Sequence, residues 1–281
     1  MSTILAALDV PIFIVSRDRL TPLQRLVSWL ERVGCVEIYI LDNDSAYEPL
    51  LEWYRESPHT VLALGQNYGK NALWLAPGVF DRVRGRRFVY SDPDIVPDES
   101  CPLDALDRFG ELLDRYLAVT KAGFGLRIDD LPDHYPHKSA VLAWERRFWD
   151  WPLGRGAYYA PIDTTFALYR PGSGARPNEA VRTGPPYVAR HDSWYLDIES
   201  LPDDELCYRS RCAADTHAVT VTNWTRSELA DGFEEWLAEE GRQASSRVRR
   251  VETRLRWLLR GRRTVRRPTS ARPSGESTRL G

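Results

Sequence analysis

The sequence predicts an α/β protein with a mostly parallel central sheet flanked by helices. Three observations point there. Continuous apolar runs of strand length alternate with helix-period segments, and each run ends in polar residues. The chain of 281 residues, 43% hydrophobic and with 10 Trp, is also long enough to bury one large core or two modest ones.

The elements follow in order through the first hundred residues. VPIFIVS (10–16) is an unbroken apolar run of the kind a strand buried on both faces needs. Thr21 and Pro22 then mark a helix start, Leu23, Leu26, Val27 and Leu30 share one helical face, and Gly34 marks the stop. VEIYILD (36–42) is a second strand, YEPLLEWYRES (47–57) a short helix, TVLALG (60–65) a third strand, and FVYSDPD (88–94) closes the series. This order implies parallel pairing through right-handed crossovers, with ligands gathered at the carboxyl ends of the strands. Those ends are Ser16-Arg17-Asp18, Asp42-Asn43-Asp44, Gln66-Asn67 and Ser91-Asp92-Pro93-Asp94, which together describe a polar pocket on one rim. None carries G-x-G-x-x-G or G-x-x-x-x-G-K-[ST], which argues against a dinucleotide fold or a P-loop NTPase.

Asp92 and Asp94 raise a question of charge. If residues 92–94 stay extended, the two carboxylates emerge on one side, roughly 6–7 Å apart. Their repulsion is then about 2–3 kcal/mol at an effective dielectric of about 20. Either the turn is fully solvated or something positive sits between the pair.

PIFIVSRDRL with its following helix, VEIYILDNDSAYEPLLEWY, LGQNYGKNALW, FVYSDPDIVP as a D-x-D element, PIDTTFALYRPGS and ARHDSWYLD occur in that order over roughly residues 10–200. Together they resemble the nucleotide-diphospho-sugar transferase (GT-A) fold of glycosyltransferases, in particular family-2-like bacterial enzymes. The resemblance implies a single catalytic domain over 1–240, with a nucleotide-sugar-binding half over about 1–100 and an acceptor half over about 101–240. It implies that the rim binds a UDP- or GDP-sugar and that Asp92 and Asp94 hold Mn²⁺ or Mg²⁺ bridging the diphosphate. Oxygen ligands suit either ion, and a cation there offsets charge building on the leaving phosphate. It also assigns Asp42 to the base or ribose, Ser16 and Arg17 to base or phosphate, Asn67 and Lys70 to a loop over the nucleotide, and Asp92 to the nucleotide as well as the metal. On their own chemistry, Asp42 can instead cap the turn that follows it, and Arg17 can pair on the surface.

The second half begins with a helix, CPLDALDRFGELLDRYL (101–117), and a strand within LAVTKAGFGLRIDD. Trp144, Phe148, Trp149, Trp151, Tyr158, Tyr159, Phe166 and Tyr169 then crowd one stretch, as core or as a platform for sugar rings. Asp163 stands at the mouth of the apolar strand TTFALYR, where a carboxylate needs a partner or a role. By resemblance, an inverting transferase takes the acceptor proton on an Asp or Glu of this half. By its place Asp163 is the first candidate for that base and Asp192 the rival; the usual E-D motif is missing, so inverting chemistry rests on the resemblance. His191 is by resemblance a third metal ligand, and on its own a hydrogen-bonded structural histidine.

Four Cys (35, 101, 207 and 212) form no C-x-x-C pair, as expected of reduced structural thiols. The N-terminus lacks a basic, apolar leader pattern, and a cytoplasmic location is expected. The whole chain sums to −2, yet residues 241–281 hold 13 Arg against two Glu, so an acidic body bears a basic tail. Val248, Val251, Leu255, Leu258 and Leu259 form one stripe of an Arg-rich amphipathic helix, with a Pro-, Ser- and Gly-rich disordered end over 267–281. That helix suits either an anionic membrane at the inner face of the bilayer or the protein's own acidic body. The expected activity is metal-dependent transfer of a sugar from a nucleoside diphosphate to an acceptor hydroxyl, lipid-linked or soluble, in polysaccharide, glycolipid or natural-product glycosylation. The alternatives are a sugar nucleotidyltransferase, disfavoured because SRDRLTP is not a Gly-rich basic loop, and a nucleic-acid-binding protein, disfavoured by the acidic body.

Overall fold

The computed structural model describes residues 9–176 and 179–212, which belong to one unit of the chain. The expected basic helix of 241–281 and its membrane attachment lie outside the described residues. Four strands, β1 (Ile12–Ser16), β2 (Ile38–Asp42), β3 (Thr60–Ala63) and β4 (Phe88–Ser91), pair in parallel in the order β3-β2-β1-β4. Every residue of β1 is buried, as its unbroken apolar run requires. The crossovers run through α1 (Leu20–Val33) and α2 (Glu48–Glu56), with a short α3 (Ala72–Leu75) after β3.

Helix α1 ends at Gly34, whose φ of 91° only glycine adopts without cost. The amides of Gly34 and Cys35 return to the carbonyls of Glu31 and Leu30 at 3.0 Å each, closing the last turn. Its start differs from expectation. The helix begins at Leu20, and Thr21 does not cap with its hydroxyl. Its backbone N–H donates instead to Asp204 Oδ2 at 2.7 Å, a carboxylate of α6 (Asp203–Cys212).

The second half contributes β5 (Ile95–Pro97), α4 (Ala105–Arg115), β6 (Lys121–Leu126), α5 (Lys138–Arg146), β7 (Ala157–Tyr159), β8 (Ala167–Tyr169) and β9 (Ala180–His191). The sheet order continues β4-β8-β6-β9-β5, with β7 also on β9. β8 is antiparallel to β4 and β6, and β9 is antiparallel to β5 and β7 but parallel to β6. The sheet is therefore mixed rather than mostly parallel. β5, β7 and β8 are three residues each, too short for a two-residue period to announce their direction. Among the described residues no helix is long and apolar enough to cross a membrane.

Both faces of this sheet carry aromatic cores. Trp29 of α1 meets Phe124 and Phe166 edge-on at 5.9 and 6.0 Å, and Phe109 of α4 packs against Phe124 at 4.8 Å. On the opposite face Phe88 and Tyr169, direct cross-strand partners, stack at 5.0 Å, and Trp74 of α3 sits against Tyr90 at 4.8 Å. Phe148, Tyr159, Phe166 and Tyr169 are buried, so these four belong to the core and not to a sugar platform.

Gly123 lets β6 and β8 approach. A Cβ there would lie 2.2 Å from the Phe166 carbonyl and 2.7 Å from the Ala167 Cβ, both fixed by strand pairing. Gly123→Ala is expected to cost about 1–3 kcal/mol by overpacking, read from urea unfolding. Unchanged stability would mean that the two strands can separate freely.

Candidate active site

The carboxyl ends of β1, β2, β3 and β4 bring the predicted polar residues to one rim. Ser16, buried, is the register partner of Asp42, and the Ser16 carbonyl accepts from the Asn43 amide at 2.9 Å. Asp42 Oδ1 accepts from the Ser45 amide at 3.1 Å, so it caps the turn after β2. Burial pushes its carboxyl above the ordinary range, and the Ser45 hydrogen bond only partly opposes this. Arg17 keeps one-tenth of its side chain exposed and faces Asp18 at 4.0 Å and Asp44 at 3.7 Å, an ion cluster within the rim rather than a surface pair. Asn43 was not singled out in the sequence, yet it orders the loop after β3. Its side chain donates to Asn67 Oδ1 at 2.7 Å and accepts from the Tyr68 amide at 2.7 Å. Lys70, beyond that loop, is half exposed and pairs with Asp163.

Residues 92–94 are a turn between β4 and β5, not an extended run, and the two aspartates take different partners there. Asp92 is half-buried; its Oδ2 accepts from the Thr164 hydroxyl at 2.6 Å, and its amide donates to the Thr164 carbonyl at 3.0 Å. Burial first, then the Asp94 charge, hold its carboxyl well above the usual range. Asp94, 3% exposed, accepts from Arg19 Nη1 at 2.8 Å and lies 3.6 Å from His191 Nδ1. Burial alone would raise its carboxyl, but His191 and Arg19 outweigh it and the net shift is downward.

His191 reaches this position because β9 runs antiparallel to β5, which puts it opposite Ile95. The ring stacks flat on Trp194 at 4.7 Å and pairs through Nδ1 with the Ser193 hydroxyl. Asp192 sends its amide to the Asp94 carbonyl at 2.8 Å, while its carboxylate turns to Arg25 of α1 at 2.8 Å. Of the two candidate bases, Asp163 is therefore the one beside Asp92 and Lys70, and half its side chain is exposed.

Further charge comes from α6, whose role the sequence did not announce. Glu205 binds the Arg19 guanidinium through Nε at 2.8 Å and Nη2 at 3.2 Å, and Tyr208 lies under the same group at 3.7 Å from its ring centre. Arg211 donates to both oxygens of Asp18 at 3.0 and 2.8 Å and to Asp44 Oδ2 at 2.8 Å. Asp18, with φ of 58°, in turn accepts from the Ala46 and Tyr47 amides at 2.6 and 3.0 Å.

The divalent cation expected at Asp92 and Asp94 does not fit this arrangement. Asp94 is already matched by Arg19, and among the described residues no three His, Cys, Asp or Glu side chains gather as a metal site.

Beneath the site Lys121, fully buried, donates to the Asp163 carbonyl at 3.1 Å and to the Tyr169 hydroxyl at 3.2 Å. Burial lowers its amine to about 7, against the opposing pull of Asp163, with Arg182 and Lys70 pushing the same way as burial. An unfolded lysine keeps its proton to about 10.5. Between those values the unfolded chain binds more protons, so stability rises with pH, by up to about 1.4 kcal/mol per unit. Wild type is expected to gain on Lys121→Met in urea-unfolding free energy as pH rises from about 7 to 9.5. A constant difference between the two proteins would mean that Lys121 titrates normally.

No protein-family model matches the chain, and no curated protein does. Among solved structures, one similar chain is a mycobacterial protein, 14% identical, with a TM-score of 0.40 over 74% of this chain and 75% of that one. Another is glucosyl-3-phosphoglycerate synthase from Mycobacterium tuberculosis in complex with phosphoglyceric acid, 15% identical, with a TM-score of 0.41 over 74% of this chain and 79% of that one.

Proposed function

We propose that this protein is a glycosyltransferase that moves a sugar from a nucleoside diphosphate to an acceptor hydroxyl. The observation that carries the proposal is the joining of two halves at one rim. A parallel β3-β2-β1-β4 edge presents Ser16, Arg17, Asp42, Asn67 and Asp92, and the mixed second half lays Asp163 beside Lys70 and Asp92. A crevice at the carboxyl ends of parallel strands suits a nucleotide. The half-exposed Asp163 suits an incoming hydroxyl.

Chemically, the acceptor oxygen attacks the anomeric carbon as the bond to the diphosphate breaks, and negative charge grows on the departing phosphate. Asp163 takes the acceptor proton in this inverting scheme. Lys70, held by Asp163 before the donor arrives, is placed to face the leaving phosphate. Asp92, kept protonated more readily than an ordinary aspartate, offers a hydrogen bond to the donor without adding a full charge.

A panel of UDP-, GDP- and TDP-sugars tested for thermal stabilisation decides the donor; no shift with any of them would remove the proposal. Asp163→Asn is expected to lower turnover at least about a hundredfold, the usual contribution of a general base, while donor affinity stays within about threefold. Equal losses in turnover and donor affinity would assign Asp163 to the donor, and the same pattern in Asp192→Asn alone would exchange the two roles.

A further inference from the structure

We propose that Arg19 stands in for a divalent cation at Asp94, so that donor binding is independent of metal and the leaving phosphate is met by Lys70. This deepens the transferase proposal and rests on it for the donor. Three observations support the assignment of Arg19. The guanidinium is 5% exposed and has its Nε, Nη1 and Nη2 all engaged, by Glu205 and Asp94, over the face of Tyr208. The local charges also close without an ion. Arg19 and Arg209 face Asp94 and Glu205, with Arg209 Nε on Glu205 Oε1 at 2.7 Å. Finally, Asp92 and Asp94 already take different partners, one the Thr164 hydroxyl and the other Arg19.

A dication drawn to Asp94 would have to displace Arg19 or sit beside it. Displacement leaves a buried cation short of one of its two carboxylates, and coexistence sets like charges close together in a poorly screened site. The cation available to a diphosphate is then Lys70, half exposed and ion-paired to Asp163, a group that an acceptor hydroxyl can engage in its place.

The test measures Mn²⁺ binding by electron paramagnetic resonance and UDP and GDP binding by calorimetry, on the full chain. Without nucleotide, wild type is expected to leave Mn²⁺ free at millimolar concentration. Whichever nucleotide binds is expected to do so equally in EDTA and in Mn²⁺, and Lys70→Ala is expected to weaken it about tenfold or more. Stoichiometric Mn²⁺ uptake that disappears in Asp94→Asn, or a nucleotide affinity raised about tenfold or more by Mn²⁺, overturns the role of Arg19. Undiminished nucleotide affinity in Lys70→Ala overturns the role of Lys70. If neither nucleotide binds, the transferase proposal rests on the wider panel of nucleotide sugars and falls if that panel also fails, while Mn²⁺ uptake by the protein alone still decides whether Arg19 fills the cation's place.

Discussion

A buried guanidinium, that of Arg19, holds the rim together. It joins the β1–α1 junction to the β4–β5 turn through Asp94 and to α6 through Glu205, residues 75 and 186 positions away. Pairs of this kind contribute little net stability, because desolvating three charges offsets most of their attraction. Their effect is on arrangement. Removing one member leaves the others buried and uncompensated, at a cost of about 3–5 kcal/mol, so alternatives in which α6 or the turn shifts are penalised. Helix α6 reinforces the choice at two more points, capping α1 through Asp204 and clamping Asp18 and Asp44 through Arg211.

The same interaction gives two neighbouring aspartates opposite characters. Asp94, matched by Arg19 and His191, stays ionised, whereas Asp92, half-buried against Thr164 and repelled by Asp94, holds a proton more readily. One acid thus serves the architecture, and in the proposed reaction the other is left for chemistry beside Asp163 and Lys70. Lys121 completes the site from below. Its amine anchors the Asp163 backbone, and burial keeps that amine close to neutral, so the loop is held without a full charge in the core.

Much of the first half was legible in the sequence because a strand buried on both faces leaves a plain mark. β1, β2 and β4 fall inside the apolar runs that announce them, and the polar ends at Ser16, Asp42 and Asp92 fall on one rim. The second half was less legible, because strands of three residues carry no period and the direction of β8 is set by what it packs between. The site's organisers were hidden for another reason: they are long-range. Nothing near Arg19 announces Glu205, and Thr21 looked like a cap because local chemistry fits, while the observed cap is a carboxylate 183 residues away. Asn43 did sit in the strand end Asp42-Asn43-Asp44, where a polar side chain that orders a loop differs in no visible way from a ligand contact, and Arg19 lies one residue beyond Ser16-Arg17-Asp18. The aromatic stretch 144–169 could be core or platform until its neighbours were known, and Trp29 and Phe88 are those neighbours for Phe166 and Tyr169.

The most direct measurement is a double-mutant cycle between Arg19→Met and Asp94→Asn, with unfolding free energies from urea titrations of the two single variants, the double variant and wild type. If Arg19 is the internal counter-charge of Asp94, the cycle gives a coupling of about 1–3 kcal/mol, with the double variant more stable than the sum of its parts predicts. Additivity within about 0.5 kcal/mol would contradict the account, since Asp94 would then be held by something other than Arg19.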